Sequence, residues 1–123
     1  MIDSEADVLG DLALAAAERS PQVSAMLLDE MARAKFYTRE RIPQDVVVMG
    51  ATVEFADANG SSHSVKLVYP KDADISAGRI SILTPVGAGL IGLREGQSIL
   101  WPDREGHERE LAIVRVRQEA SAT

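Results

Sequence analysis

Apolar residues are spaced as on helices in the first third of the chain and alternate as on strands in the remainder. Between Ser4 and Tyr37, Val8, Leu12 and Ala15 follow i, i+4, i+7 spacing, and Val23, Leu27, Met31 and Ala34 repeat it. Ser4 with Asp7 three positions later suits a capping-box start. Ser20-Pro21 breaks the first run and fits the N-cap and first position of a second helix. So short a break predicts two antiparallel helices, each roughly 20–25 Å long for about 15 residues at ~1.5 Å per residue. Ala13-Leu14-Ala15-Ala16-Ala17 favours helix and permits close approach of the pair. The pair either projects as an arm or folds back on the remainder. Pro43 disfavours helix at Ile42, so the polar stretch Tyr37–Gln44 reads as a hinge.

Beyond the hinge the period changes to two. Val46-Val47-Val48-Met49 is a candidate strand, Thr52–Ala56 alternates, and Ser64–Val68 alternates back after the turn Asp57-Ala58-Asn59-Gly60. After a loop around Asp72–Gly78 come a strand at Ile80–Leu83, a short helix from Thr84 to Leu93 and a strand at Ser98–Trp101. Thr84 suits the N-cap of that helix, Pro85 its first position and Gly92 its C-terminal turn. Pro102–Glu108 is a polar turn, Arg109–Val116 a closing strand, and Gln118–Thr123 a frayed tail. The fold class expected is α+β: a short helical hairpin over residues 1–42, then one twisted antiparallel sheet covered by a short helix over residues 43–123. The second region holds most of the core and is expected to stay folded alone, unlike the first.

The chain has 123 residues, 46% of them hydrophobic, enough for a compact core. Its formal charge is −6; residues 1–44 have eight Asp/Glu and five Lys/Arg, residues 45–123 eleven and eight, so each part is net −3. Neither part has the basic footprint of a nucleic-acid binder, so no direct sequence-specific contact with nucleic acid is expected. The absence of Cys excludes disulfides and thiolate metal sites. No apolar run approaches the ~20 residues of a membrane helix, and the first residues lack a secretion signal, so a cytoplasmic protein is expected.

Candidate chemistry is sparse. His63 and His107, the two histidines, sit in polar contexts without a His-x-x-x-His or carboxylate cluster, and read as solvated loop residues. Asp72, Asp74, Ser76 and Gly78 resemble the start of a calcium loop, but Leu83 stands where the bidentate Glu belongs. Gly87, Gly89 and Gly92 form a literal Gly-x-Gly-x-x-Gly, yet Pro85 starts the helix before them and no βαβ alternation surrounds them. No cofactor, metal or catalytic residue is expected.

The segment Thr84-Pro85-Val86-Gly87-Ala88-Gly89-Leu90-Ile91-Gly92-Leu93 resembles the Ser-Pro-x-x-x-x-Leu-x-Gly signature of the GreA/GreB transcript cleavage factors. It also resembles the Ala-Pro-Val-Gly-Ala-Ala-Leu-Leu-Gly-Leu-Arg-x-Gly pattern of their short Rnk-type relatives, the regulators of nucleoside diphosphate kinase. Asp45–Met49, Leu67-Val68-Tyr69-Pro70 and Leu93–Ile99 followed by Trp101 match the same family in order, so the resemblance covers roughly Pro43 to Val116. It implies an FKBP-like C-terminal domain, a short N-terminal coiled coil and a monomeric, non-enzymatic regulator that binds RNA polymerase near its secondary channel. Gre-type domains dock through the loop at this signature, and the matching positions are Leu83, Thr84, Pro85, Val86 and Gly87, with Leu83 in place of an Asp or Asn. Thr84 and Pro85 serve equally well as plain helix-capping residues.

The tip of the helical pair separates the relatives. In cleavage-active Gre factors an acidic pair at the coiled-coil tip helps hold a second magnesium, which needs hard oxygen ligands at the end of a long arm. Here the tip is Glu18-Arg19-Ser20-Pro21-Gln22, with a single carboxylate beside a cation. The resemblance then implies a factor that competes with Gre proteins without cleaving transcripts. The alternatives are a cleavage-stimulating elongation factor and an FKBP-like prolyl isomerase or chaperone. The dispersed aromatics Phe36, Tyr37, Phe55, Tyr69 and Trp101 disfavour the isomerase pocket.

Overall fold

The computed structural model describes residues 1–56, 60, 62–102 and 108–118, with the side chains of 99, 101, 102, 108 and 109 excepted. The expected turn at 57–59, His107 and the tail beyond Gln118 lie outside the described residues. Helix α1 is Asp3–Ala16 and α2 is Pro21–Arg33. They are followed by strands β1 (Thr52–Ala56), β2 (Ser62–Val68) and β3 (Arg79–Ser81), helix α3 (Pro85–Leu90), and strands β4 (Ser98–Pro102) and β5 (Glu108–Arg117). The five strands form one sheet in the order β3-β2-β1-β5-β4.

The sheet is mixed, where the sequence predicts antiparallel pairing throughout. β1 pairs antiparallel with β2 and β5, and β4 with β5, but β2 and β3 are parallel. The reason is the connection: two single 3-10 turns, Pro70–Asp72 and Ile75–Ala77, carry the chain back so that β3 re-enters in the direction of β2.

Helix α1 differs from expectation in its start and in its phase. Its N-cap is Ile2, with no side-chain cap, and Ser4 lies inside the helix. Ile2 forms a parallel bridge with Tyr37, and the Asp3 N–H donates to the Tyr37 carbonyl at 2.8 Å, so the backbone enters the helix directly from that pairing. The buried face is Glu5, Ala6, Leu9, Ala13 and Ala16, while Val8 is 45% exposed. An alanine-rich helix satisfies helical spacing in more than one phase, and tertiary contacts choose between them. Helix α2 follows expectation more closely: Val23 and Leu27 are buried and Met31 and Ala34 pack beside them, although the helix stops at Arg33 because Ala34 is extended.

Val46–Met49 is not a strand. All four side chains are buried, whereas a half-buried strand would expose two of them. The segment instead passes beneath the turn after α3, where the Val47 N–H donates to the Leu93 carbonyl at 2.7 Å and the Gly92 N–H to the Val47 carbonyl at 3.0 Å. Gln118 is anchored rather than frayed, its Nε2 donating to the carbonyls of Pro43 at 2.6 Å and Val46 at 2.9 Å.

One buried cluster runs through both regions of the chain. Ile2, Leu9, Ala13 and Leu27 of the helical part share it with Val47, Val53, Leu67, Ile82, Leu90 and Ile113. The helices also grip each other: Ser24, itself buried, donates its hydroxyl to the Ala13 carbonyl at 2.8 Å. No helix of the described residues is long and apolar enough to cross a membrane.

Candidate functional site

The turn between β3 and α3 is built almost wholly by its own residues. The Thr84 hydroxyl donates to the Ser81 carbonyl at 2.7 Å and accepts from the Gly87 N–H at 3.0 Å. The Ser81 hydroxyl accepts from the Leu83 N–H at 3.0 Å. Pro85 occupies the first helical position, where it forfeits no hydrogen bond, and is exposed. A Cβ on Gly87 would collide with the Ser81 carbonyl oxygen, so only glycine lets α3 fold this tightly against the turn. Leu83, Thr84 and Val86 are half-buried and Gly87 buried. The five residues picked out by the sequence therefore form one rigid turn whose most accessible member is Pro85. Thr84 does cap the helix, as predicted.

Gly92 closes the motif at φ 84°, a left-handed conformation that suits glycine, and a Cβ there would strike the Glu30 carboxylate of α2. The two outer glycines of Gly87-x-Gly89-x-x-Gly92 thus serve close packing. β3 and β4, which flank α3 in sequence, lie at opposite edges of the sheet, so no βαβ phosphate cradle forms around them.

Glu18, Arg19, Pro21 and Gln22 are exposed and Ser20 is half-buried, at the junction of the two helices. Glu18 is the one carboxylate of this junction. Met26, Asp29, Glu30 and Arg33 of α2 line a cavity together with Ala88 and Gly89 of α3 and with Gly92 beyond it. Asp74 accepts from the Ser76 N–H at 3.1 Å and hydroxyl at 2.6 Å, which holds its carboxyl below the usual range and makes it a cap, not a calcium ligand. His63 lies exposed in β2, its ring 5.9 Å from that of Phe55, instead of in a loop. Among the described residues no group of three or more His, Cys, Asp or Glu could hold a metal ion.

A cavity beside α1 has no signature in the sequence. It encloses about 480 Å³ between α1, the segment after α2, β2 and β3, and is lined by Glu5, Arg39, Lys66, Tyr69 and Arg79 among others. Glu5 is buried; its Oε1 accepts from the Met49 N–H at 3.0 Å and its Oε2 lies 3.5 Å from the Arg39 guanidinium. Burial pushes its pKa up, against the pull of the Met49 N–H and Arg39. These residues are far apart in sequence, and no spacing rule links them.

Comparison with known proteins first gives the class. The arrangement is that of prokaryotic transcription factors with two N-terminal helices followed by a sheet and a short helix, as in the GreA/GreB elongation factor from Nitrosomonas europaea. That structure superposes with a TM-score of 0.83 at 36% identity, covering 95% of this chain and 97% of the other. Residues 42–118 match the family described as transcription elongation factor, GreA/GreB, C-terminal, and the chain belongs to that family. It is 35% identical over 94 residues to the regulator of nucleoside diphosphate kinase of Escherichia coli K12, covering 76% of this chain and 69% of that protein. It is 37% identical over 94 residues to the elongation factor GreA of Azorhizobium caulinodans, covering 76% of this chain and 59% of that factor. These relatives are regulatory factors, and the family supports a role in transcription.

Proposed function

We propose that the protein binds RNA polymerase near its secondary channel, competes there with Gre factors, and does not stimulate transcript cleavage. In this reading Leu83–Gly87 form the docking turn, and the antiparallel helical hairpin points its tip, Glu18–Gln22, towards the channel. The observation that carries the reading is the tip itself: Glu18 stands alone beside Arg19, and one carboxylate is a poor ligand set for a magnesium ion. The rigid, exposed Pro85 turn supports the docking role, because a pre-ordered contact loses little entropy on binding. A prolyl isomerase reading gains nothing from the cavity beside Glu5, where Tyr69 is the one aromatic lining residue among several charged ones.

The test is competition with a purified Gre factor for core polymerase, run beside a cleavage assay on backtracked complexes. Displacement of the Gre factor without magnesium-dependent cleavage is expected; cleavage by the protein itself would overturn the assignment. Pro85→Glu is the informative docking variant, since the first position of a helix accepts an acidic residue without loss of fold. Its affinity for polymerase should fall, and unchanged affinity in the folded variant would leave this turn with capping alone.

A further inference from the structure

We propose that the cavity between Glu5 and Arg79 is a binding site for a small organic phosphate. Three cations from three parts of the chain line it: Arg39 from the segment after α2, Lys66 from β2 and Arg79 from β3. Lys66 and Arg79 are register partners on adjacent strands, which sets their side chains beside each other at the sheet edge. Guanidinium forks and an ammonium group at one site match the oxygens of a phosphate. Glu5 and Asp72 also face the cavity, so the lining is +1 in a molecule of net charge −6.

Glu5 does not repel an anion as a surface carboxylate would. It is buried, it accepts the Met49 N–H, and its Oε2 lies 3.5 Å from the guanidinium of Arg39, whose side chain is about half exposed. The volume, about 480 Å³, falls within the range of small-molecule sites and exceeds what inorganic phosphate fills. Met49, Val68 and the half-buried ring of Tyr69 supply an apolar wall for the organic part, and the carboxylate of Asp72 can accept from its N–H or O–H groups. The walls belong to the helical part on one side and the sheet on the other, so a ligand spanning them binds the folded arrangement alone and raises its stability.

The site is independent of polymerase binding and is tested on the full chain by thermal unfolding and titration calorimetry. The probes are inorganic phosphate, adenosine monophosphate, guanosine monophosphate and glucose phosphate at constant ionic strength. At least one organic phosphate should raise Tm in a dose-dependent manner, by more than inorganic phosphate does. Arg79→Gln should weaken that binding about tenfold or more, the usual loss for a charge-assisted hydrogen bond. Arg115→Gln, an equal change in net charge at an exposed position in β5, should leave it unaltered. No Tm change with any probe, a response to the organic probes no larger than that to inorganic phosphate, or equal weakening in the two variants would overturn the proposal.

Discussion

Glu5 ties the first turn of α1 to the segment leading into β1 through one buried hydrogen bond, and its charge works against the fold. Its pKa is raised above the ordinary 4.5 chiefly by desolvation, so the folded protein holds the proton more tightly than the unfolded chain. That contribution is fully present below pH 4.5 and is lost as pH rises through the folded pKa. Glu30 is shifted the same way by burial and adds to the trend. Glu5→Gln keeps an oxygen for the Met49 N–H and removes the charge; denaturant titrations across this pH range should show a flatter profile with little loss at neutral pH. Glu5→Ala orphans the buried N–H and should cost about 1–3 kcal/mol. A stability for Glu5→Ala equal to that of Glu5→Gln would show that the hydrogen bond contributes nothing. In the α3 turn, Thr84→Ala removes a cap and should cost about 1 kcal/mol. Gly87→Ala forces a methyl into the Ser81 carbonyl and should cost about 1–3 kcal/mol. Thermal or denaturant unfolding of both variants checks the order.

At the scale of elements, what was legible in the sequence had a local cause. β1 matches its predicted span because strict alternation from Thr52 to Ala56 puts Val53 and Phe55 together on the buried face. Helix α3 was readable because Thr84 and Pro85 are start signals whose hydrogen bonds close within a few residues. The failures share a different cause. The phase of α1 rests on Glu5 meeting Met49, 44 residues away, and the course of Val46–Met49 rests on its pairing with Gly92 and Leu93. The parallel placement of β3 depends on a connection whose two 3-10 turns have no periodic signature. The surfaces divide the same way: the turn at 83–87 is contiguous and its capping is readable, whereas Glu5, Arg39, Lys66 and Arg79 converge only in the fold. The phase of α1 predicts a contrast. Leu9→Ala, at a fully buried position, should destabilise by about 2–5 kcal/mol, and Leu14→Ala, 67% exposed, by less than about 0.5 kcal/mol. Similar losses at both sites would put the helix in the other phase.

At the scale of the whole molecule, the question is whether the two regions can be parted. Composition suggests that residues 43–123 fold alone, since they hold the strands and α3. The packing argues otherwise. Ile2, Leu9 and Leu27 are fully buried and belong to the same cluster as Val47, Leu90 and Ile91. The N–H of Met49 depends on Glu5, and α2 closes over Gly92 through Glu30. Removing residues 1–42 would expose that apolar surface and leave buried polar groups without partners, each a cost of about 1–3 kcal/mol. Against a typical total of roughly 5–15 kcal/mol, such losses are large. We therefore propose that the full chain unfolds in one cooperative transition. The fragment from Pro43 should show a lower Tm, a broadened transition and increased binding of an apolar dye, while residues 1–42 alone should be largely unfolded by circular dichroism. A fragment with the Tm of the full chain would show that the helical pair is a detachable arm. Polymerase binding by that fragment, measured beside its stability, would then separate docking by the Thr84 turn from insertion of the tip.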